Sequence, residues 1–596
     1  MIRLADFVID FLSSKKIKKV FTVSGGGSIF LCDALYKSKK IDYISHHHEQ
    51  AASFAAEGYA RSLNSPGCCL VTTGPGGTNA LTGASCAWID SVPMIFISGQ
   101  VFFNQTIKNT KKRQIGVQEI DIISLAKPVT KYAKLIRDPS HIKYELEKAH
   151  HLATSGRPGP VWIDIPADVQ NTNIVPDKLK KYHPPFKKKI SKKNIKKIKK
   201  IVAKLNISRA PVILLGGGAK LSGIKNLLQK FINKYQIPIL LTWNADELLD
   251  NTNKFYFGKP GAFGQRGANF IIQNADFFLS VGSRLPYMVT GYNVKDFAKN
   301  ANFKAMVDID KNELKKNDLN LDEIVCEDAK IFLENISKYL KKNKRTKWIN
   351  YCKEMKSKYP SLINKMINES KFVNSYYFVN ELSKKLKKKD HLITDMGFSF
   401  TTTHQAFLTK LGQKFYTNSG HAPMGWGLPA AIGSFFSESK KEIKKKNVVC
   451  LTGEGGLEMN IQELATVMHH KIPIKLFIFN NGGYLTIKQT QILGFNSRIM
   501  GANKKSGLSF PNYNFLAKAH QIKYSKIFNH KNLDKKIEKI LESKSPVICE
   551  LIMNPDEEQL PKAINKRDEN GKSIPTNFED MYPFLPRNEI NSNSFK

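Results

Sequence analysis

Eight cysteines among 596 residues are too few and too scattered for a disulfide framework, and no two are spaced as CxxC. The adjacent pair Cys68 and Cys69 suits a reducing compartment or plain burial better than a bridge. No window holds 18 apolar residues free of charge, so no membrane-spanning helix and no membrane partner is expected. The N-terminal stretch MIRLADFVIDFLSSKKIKKV places acids inside its apolar run, unlike a secretion signal, and a cytoplasmic protein is expected. Acidic residues are scarce: 51 Asp and Glu face 92 Lys and Arg, for a net charge of +41. Such an excess raises the question of polyanions, but the lysines gather in runs at 178–200, 338–347, 384–390 and 440–447. The glycine-rich segments are nearly free of them, and neither a recognition helix nor interleaved aromatics accompanies them. The pattern reads as a solvated lysine surface, with no nucleic-acid partner.

What the chain does have is glycine placed after apolar runs. VFTVSG (20–25), CCLVTTGPGG (68–77), PMIFISG (93–99) and VWIDIP (161–166) read as strands, with a helix over 49–63 between the first two. The pattern repeats in PVILLGGGAK (211–220), FFLSVGSRL (277–285) and FKAMVDID (303–310). It repeats again in HLITDMG (391–397), NVVCLTGEGG (447–456), IKLFIFNNGG (474–483) and PVICELIM (546–553). An α/β fold with three parallel-sheet domains follows. The expected division is 1–178, a basic linker at 179–200, 201–345, 346–556, and a tail at 557–596.

The sharpest local chemistry lies in GEGGLEMN (453–460) and the Asn480-Asn481 pair that ends the next strand. Neighbouring parallel strands bring both to one sheet edge, where α/β proteins bind ligands. Carboxylate, amide and carbonyl oxygens are hard donors, so a diphosphate held through Mg2+ is expected rather than zinc. In HHHEQAASFAAEGYAR (46–61), Glu49 opens an alanine-rich helix whose face can take something large. Three consecutive histidines cannot all point inward from one strand, so His46, His47 and His48 are not expected to form a metal site, although one or two could face a cleft. The glycine loops TTGPGGTN (72–79) and NSGHAPMGWGLPAAIG (418–433) admit a cofactor or a close backbone crossing.

Taken together, HEQAASFAAEGYAR, TTGPGGTN, MGWGLPAAIG and GEGG with its following NN resemble thiamine-diphosphate-dependent enzymes of the acetolactate synthase-like group. The resemblance runs over about residues 1–560, and the tail segment NFEDMYPFLPR resembles homologues found in bacterial surface-sugar gene sets. It implies decarboxylation of a 2-oxoacid, pyruvate foremost, with transfer of the two-carbon unit to a carbonyl acceptor. A keto-sugar nucleotide acceptor, simple decarboxylation and a non-enzymatic basic scaffold are the alternatives. It further implies that Glu49 bonds the pyrimidine nitrogen of thiamine diphosphate, with Gly25, Gly76 and Asn79 beside it. Met424 would sit under the bend between the rings, Ala422 would also meet the cofactor, and Gly455 and Gly456 would meet the diphosphate. Glu454, Asn481 and the Gly483 carbonyl would ligate Mg2+, with Glu454 standing where the family has aspartate. Gln118, in VQEID (117–121), and Lys131 fall where the family meets substrate, and His421 sits in a loop one residue shorter than usual. Thr490 replaces a tryptophan that selects the second oxoacid. Arg284 matches a flavin-contacting arginine, but Met288 replaces a second one, and FAD is left open. Each site is implied to form between subunits of a homodimer or homotetramer.

Overall fold

Apolar runs that end in glycine become the inner strands of three parallel sheets. The computed structural model describes residues 1–107, 110–186, 189–443, 445–567, 573–574 and 576–595. The first sheet contains β1 (Lys19–Thr22), β2 (Asp42–Ser45), β3 (Gly67–Val71), β4 (Met94–Gln100), β5 (Tyr132–Leu135) and β6 (Pro160–Pro166). Its order is β2-β1-β3-β4-β6-β5. The central sheet contains β7 (Pro211–Leu215), β8 (Ile239–Leu241), β9 (Phe277–Val281), β10 (Phe303–Asp308) and β11 (Glu323–Cys326), ordered β8-β7-β9-β10-β11. The third contains β12 (His391–Thr394), β13 (Lys414–Tyr416), β14 (Val448–Gly453), β15 (Lys475–Asn480), β16 (Lys523–Ile527) and β17 (Val547–Ile552). Its order, β13-β12-β14-β15-β17-β16, repeats that of the first sheet strand for strand.

The helices that position the site are α1 (Glu49–Leu63), α2 (Pro75–Asp90), α3 (Lys192–Ile207), α4 (Phe398–Ala406), α5 (Gly427–Phe436), α6 (Glu454–Glu458) and α7 (Leu485–Gly494). The small side chains of α1 do admit something large, and it is α5 of the third unit. A β-carbon on Gly433 would stand 1.8 Å from the Ala55 carbonyl oxygen, and one on Gly58 would stand 2.2 Å from that of Ala430. The two backbones therefore touch, and the first and third units share one seam. Polar bonds flank it: Arg61 pairs with Glu57 and Asp90, while Glu57 accepts from Asn418 Nδ2 and Trp426 Nε1.

Two expected boundaries move. The basic stretch 179–200 is helical from Lys192: Ser191 caps α3, and Ile198, Ile201, Val202 and Leu205 bury in the central core while the lysines face outward. Residues 187 and 188 of that stretch lie outside the described residues. Residues 346–358, expected to open the third unit, form a helix that packs on the central one, because Trp348, Cys352 and Met355 fall on one apolar face. The tail lies over the central unit, where Phe578 joins the core and Asn269 Nδ2 donates to its carbonyl at 2.9 Å. No helix among the described residues is long and apolar enough to cross a membrane.

Gly433→Ala should cost about 1–3 kcal/mol through overpacking at the seam. Denaturant unfolding should show the loss, and a variant as stable as the parent would contradict the contact.

Candidate active site

In both six-stranded sheets the strand order reverses at the first strand, whose next two strands lie on its opposite sides. The crevice at such a reversal, outside the carboxyl ends of the strands, is where open α/β sheets take ligands. In the third sheet it lies between β12 and β14, and in the first between β1 and β3.

At the third sheet, β14 runs directly into α6, so Glu454 stands at the strand end and is buried. Its Oε2 accepts from the backbone N–H groups of Asn481, Gly482 and Gly483 at 2.9, 2.9 and 3.2 Å. Burial pushes the carboxyl up to about 7, against the pull of those three donors. Asn481 Oδ1 is buried and has no hydrogen-bond partner. Among the described residues no three His, Cys, Asp or Glu side chains gather as a metal site. A cation here would draw on the Glu454 carboxylate, the orphaned Asn481 oxygen and the Gly483 carbonyl, a hard-oxygen set suited to Mg2+. The Met424 methyl group lies 2.8 Å from where a β-carbon on Gly455 would stand, and the Tyr484 ring lies closer still. Position 455 must therefore be glycine for the loop and the turn to meet. Ala422 holds a left-handed φ of 60° just before Met424, and His421 is exposed.

At the first sheet, Asn79 Nδ2 donates to Glu49 Oε2 at 2.9 Å, and a β-carbon on Gly76 would stand 3.6 Å from Glu49 Oε1. Gly25 packs against Thr72, and the Gln118 carbonyl abuts Gly74, so Glu49, Gly25, Gly76, Asn79 and Gln118 gather on one loop cluster. Gln118 is held at a φ of 64°, an uncommon conformation for a residue with a β-carbon. Beneath this loop Thr73 Oγ1 donates to Gln100, Gln100 Nε2 donates to Asp164 at 3.2 Å, and Ser98 Oγ donates to Asp164 at 2.6 Å.

The remaining sequence candidates go elsewhere. Lys131 does not join the cluster: its ammonium donates to the carbonyls of Ser155 and Arg157 at 2.7 and 2.8 Å, and burial lowers its pKa to about 8. The histidines diverge. His46 Nδ1 pairs with Glu463 in the buried seam at 2.7 Å, and His48 caps α1 by accepting from Gln50 N.

FAD is left open by the sequence, and the central unit is where it would sit. Its crevice, between β7 and β9, brings backbone against backbone at one point: a β-carbon on Gly216 would stand 2.3 Å from the Gly282 carbonyl oxygen. In the loop at 259–267, Lys259 is buried in an ion pair with Asp246, which also bonds His404. Arg284 alone keeps the expected character, being half-buried with no hydrogen bond or ion pair among the described residues.

One site residue escaped the sequence reading. Asp395 follows β12 directly, a buried acid at a strand end just as Glu454 is, and that placement was the available signal.

Three segments match thiamine pyrophosphate enzyme domains: the N-terminal TPP binding domain over 2–125, the central domain over 198–336 and the C-terminal TPP binding domain over 395–551. The acetolactate synthase large subunit of Cyanidium caldarium is 32% identical, over 93% of this chain and 94% of its own. That of Lactococcus lactis subsp. lactis is 31% identical, over 94% and 93%. A probable acetolactate synthase large subunit of Methanocaldococcus jannaschii is 33% identical, over 93% and 92%. The chain belongs to the acetolactate synthase-like thiamine pyrophosphate enzymes. As such an enzyme it couples decarboxylation to carboligation with thiamine diphosphate, and a scaffold without chemistry is not favoured. The two TPP binding domains of this thiamine pyrophosphate enzyme are the two units whose sheets share one strand order.

Burial raises Asp164 to about 7 in the fold, against 3.8 for a free aspartate. Folding thus favours its protonated form: the contribution is full below pH 3.8 and is lost as pH rises to about 7. Relative to Asp164→Asn, the parent should lose about 2–3 kcal/mol between pH 5 and pH 8. Denaturant titrations of both proteins at the two pH values would show it, and parallel curves would refute it.

Proposed function

We propose that this enzyme decarboxylates pyruvate and joins the two-carbon unit to a carbonyl acceptor, a second 2-oxoacid as in acetolactate synthesis. The observation that carries it is the orphaned, buried Asn481 Oδ1 beside the Glu454 carboxylate, at the switch point that Met424 overhangs. Thiamine diphosphate, when bound, supplies the carbon nucleophile and the electron sink.

The chain's own residues do the rest. Glu454, Asn481 and the Gly483 carbonyl would hold Mg2+ beside the diphosphate, with Gly455 and Gly456 leaving room for close approach. Met424, carried by the loop that begins at Ala422, would prop the bend between the cofactor rings by bulk alone, a positioning effect. Glu49 would bond the pyrimidine nitrogen, with Asn79 fixing one carboxylate oxygen and leaving the other free. Gly25 and Gly76 line that half, and Gln118 faces substrate. Thr490, exposed on α7, takes less space than an aromatic residue and leaves the acceptor room. Lys131 holds a loop, and no step passes through flavin.

The assembly we propose is at least a homodimer, with Glu49 of one copy completing the diphosphate end of the other. Ile487, Leu493, Phe495 and Met500, on and beside α7, are 48%, 63%, 55% and 83% exposed, which supports a covering copy at that face.

Purified protein given thiamine diphosphate, Mg2+ and pyruvate should release CO2 and form a five-carbon acetohydroxyacid. Glu49→Gln should keep the fold and lower kcat by about 10²–10⁴-fold; near-parental turnover would refute the assignment. Acid-denatured protein should release no flavin absorbance, and stoichiometric flavin would overturn the reading of the central crevice.

A further inference from the structure

Between the Met424 loop and the Glu454 turn lies a carboxylate with no part in the scheme above. Asp395 leaves β12 at the switch point, and its side chain is 1% exposed. Its Oδ1 accepts from Met396 N at 2.8 Å and from Gly425 N at 3.1 Å; its Oδ2 accepts from Gly425 N at 3.2 Å and Thr452 Oγ1 at 3.1 Å. The Gly427 N–H adds a further bond. One carboxylate thus ties the residue after Met424 to the residue two before Glu454.

The glycines around it are explained by its presence. A β-carbon on Gly427 would stand 2.9 Å from Asp395 Cβ, and one on Gly456 would stand 2.7 Å from Asp395 Oδ2. Gly425, at a φ of 85°, turns its N–H onto both carboxylate oxygens. The two motifs MGWG and GEGG are therefore glycine-rich partly because they close on the same acid. All the named partners are neutral donors, so the carboxylate works through hydrogen bonds rather than an ion pair.

We propose that Asp395 is a positioning residue that sets Met424 against the Glu454 turn, and so fixes the bend imposed on the bound cofactor. This rests on the assignment of Met424 as the prop between the rings. An aspartate suits the task because two oxygens can take donors from two segments at once, whereas an asparagine must turn an NH2 group toward one of them.

Asp395→Asn tests it with two readouts apart from turnover. In the protein without cofactor, hydrogen exchange in the segment 420–428 should speed up at Gly425 by about tenfold or more. In the loaded protein, exchange of the C2 proton of thiamine diphosphate should slow by about ten- to hundredfold, with its Kd changed only a few-fold. Thr452→Val, which removes one donor, should shift both readouts in the same direction by less, and it stands in should the first variant not fold. Parental C2-proton exchange in either folded variant overturns the proposal, whatever the amide does. Failure of the parent itself to bind thiamine diphosphate would instead refute the proposed function, while unchanged exchange at Gly425 would still overturn the role of Asp395.

Discussion

The arrangement of this enzyme depends on a place where two helix backbones touch. α1 and α5 approach so closely that the Ala55 carbonyl occupies the space of a side chain at Gly433, and the Ala430 carbonyl that of one at Gly58. Contact at that range leaves one register available, because any larger residue on either helix would force them apart. The first and third units are thereby set in a single relation, and the Glu57, Arg61 and Asp90 cluster fills the edge of the contact with paired charge. Burying those charges is tolerable because each finds partners: Glu57 takes Asn418 and Trp426 as well as Arg61.

The inner strands were legible from sequence because parallel strands covered on both faces read as apolar runs ending in glycine. The strands that were not, β2, β5, β8, β11, β13 and β16, are the edges of their sheets. Edge strands here are short or half-polar: β8 and β13 have three residues each, and β2 exposes three of its four. Lysine obscured two boundaries in a related way. In α3 the basic residues dominate the composition, and only the four buried positions from Ile198 to Leu205 reveal a core helix.

Site chemistry was legible where the backbone needs glycine beside a functional group, as at GEGG and TTGPGG. It was less so where a long side chain chooses among partners. Lys131 and Arg284 both carry charge at suggestive positions, yet one binds loop carbonyls and the other binds nothing among the described residues. Asp395 was overlooked for the opposite reason: a single acid after a strand carries no spacing signal until its two distant partners, Gly425 and Thr452, are seen together.

The repeated strand order has a mechanical side as well. The first and third units are built alike and joined through touching backbones, so neither can slide along the other without a clash. Rotation of one must carry the other with it, and the pair behaves as a single rigid lever. α7 and the exposed apolar residues beside it lie outside that lever.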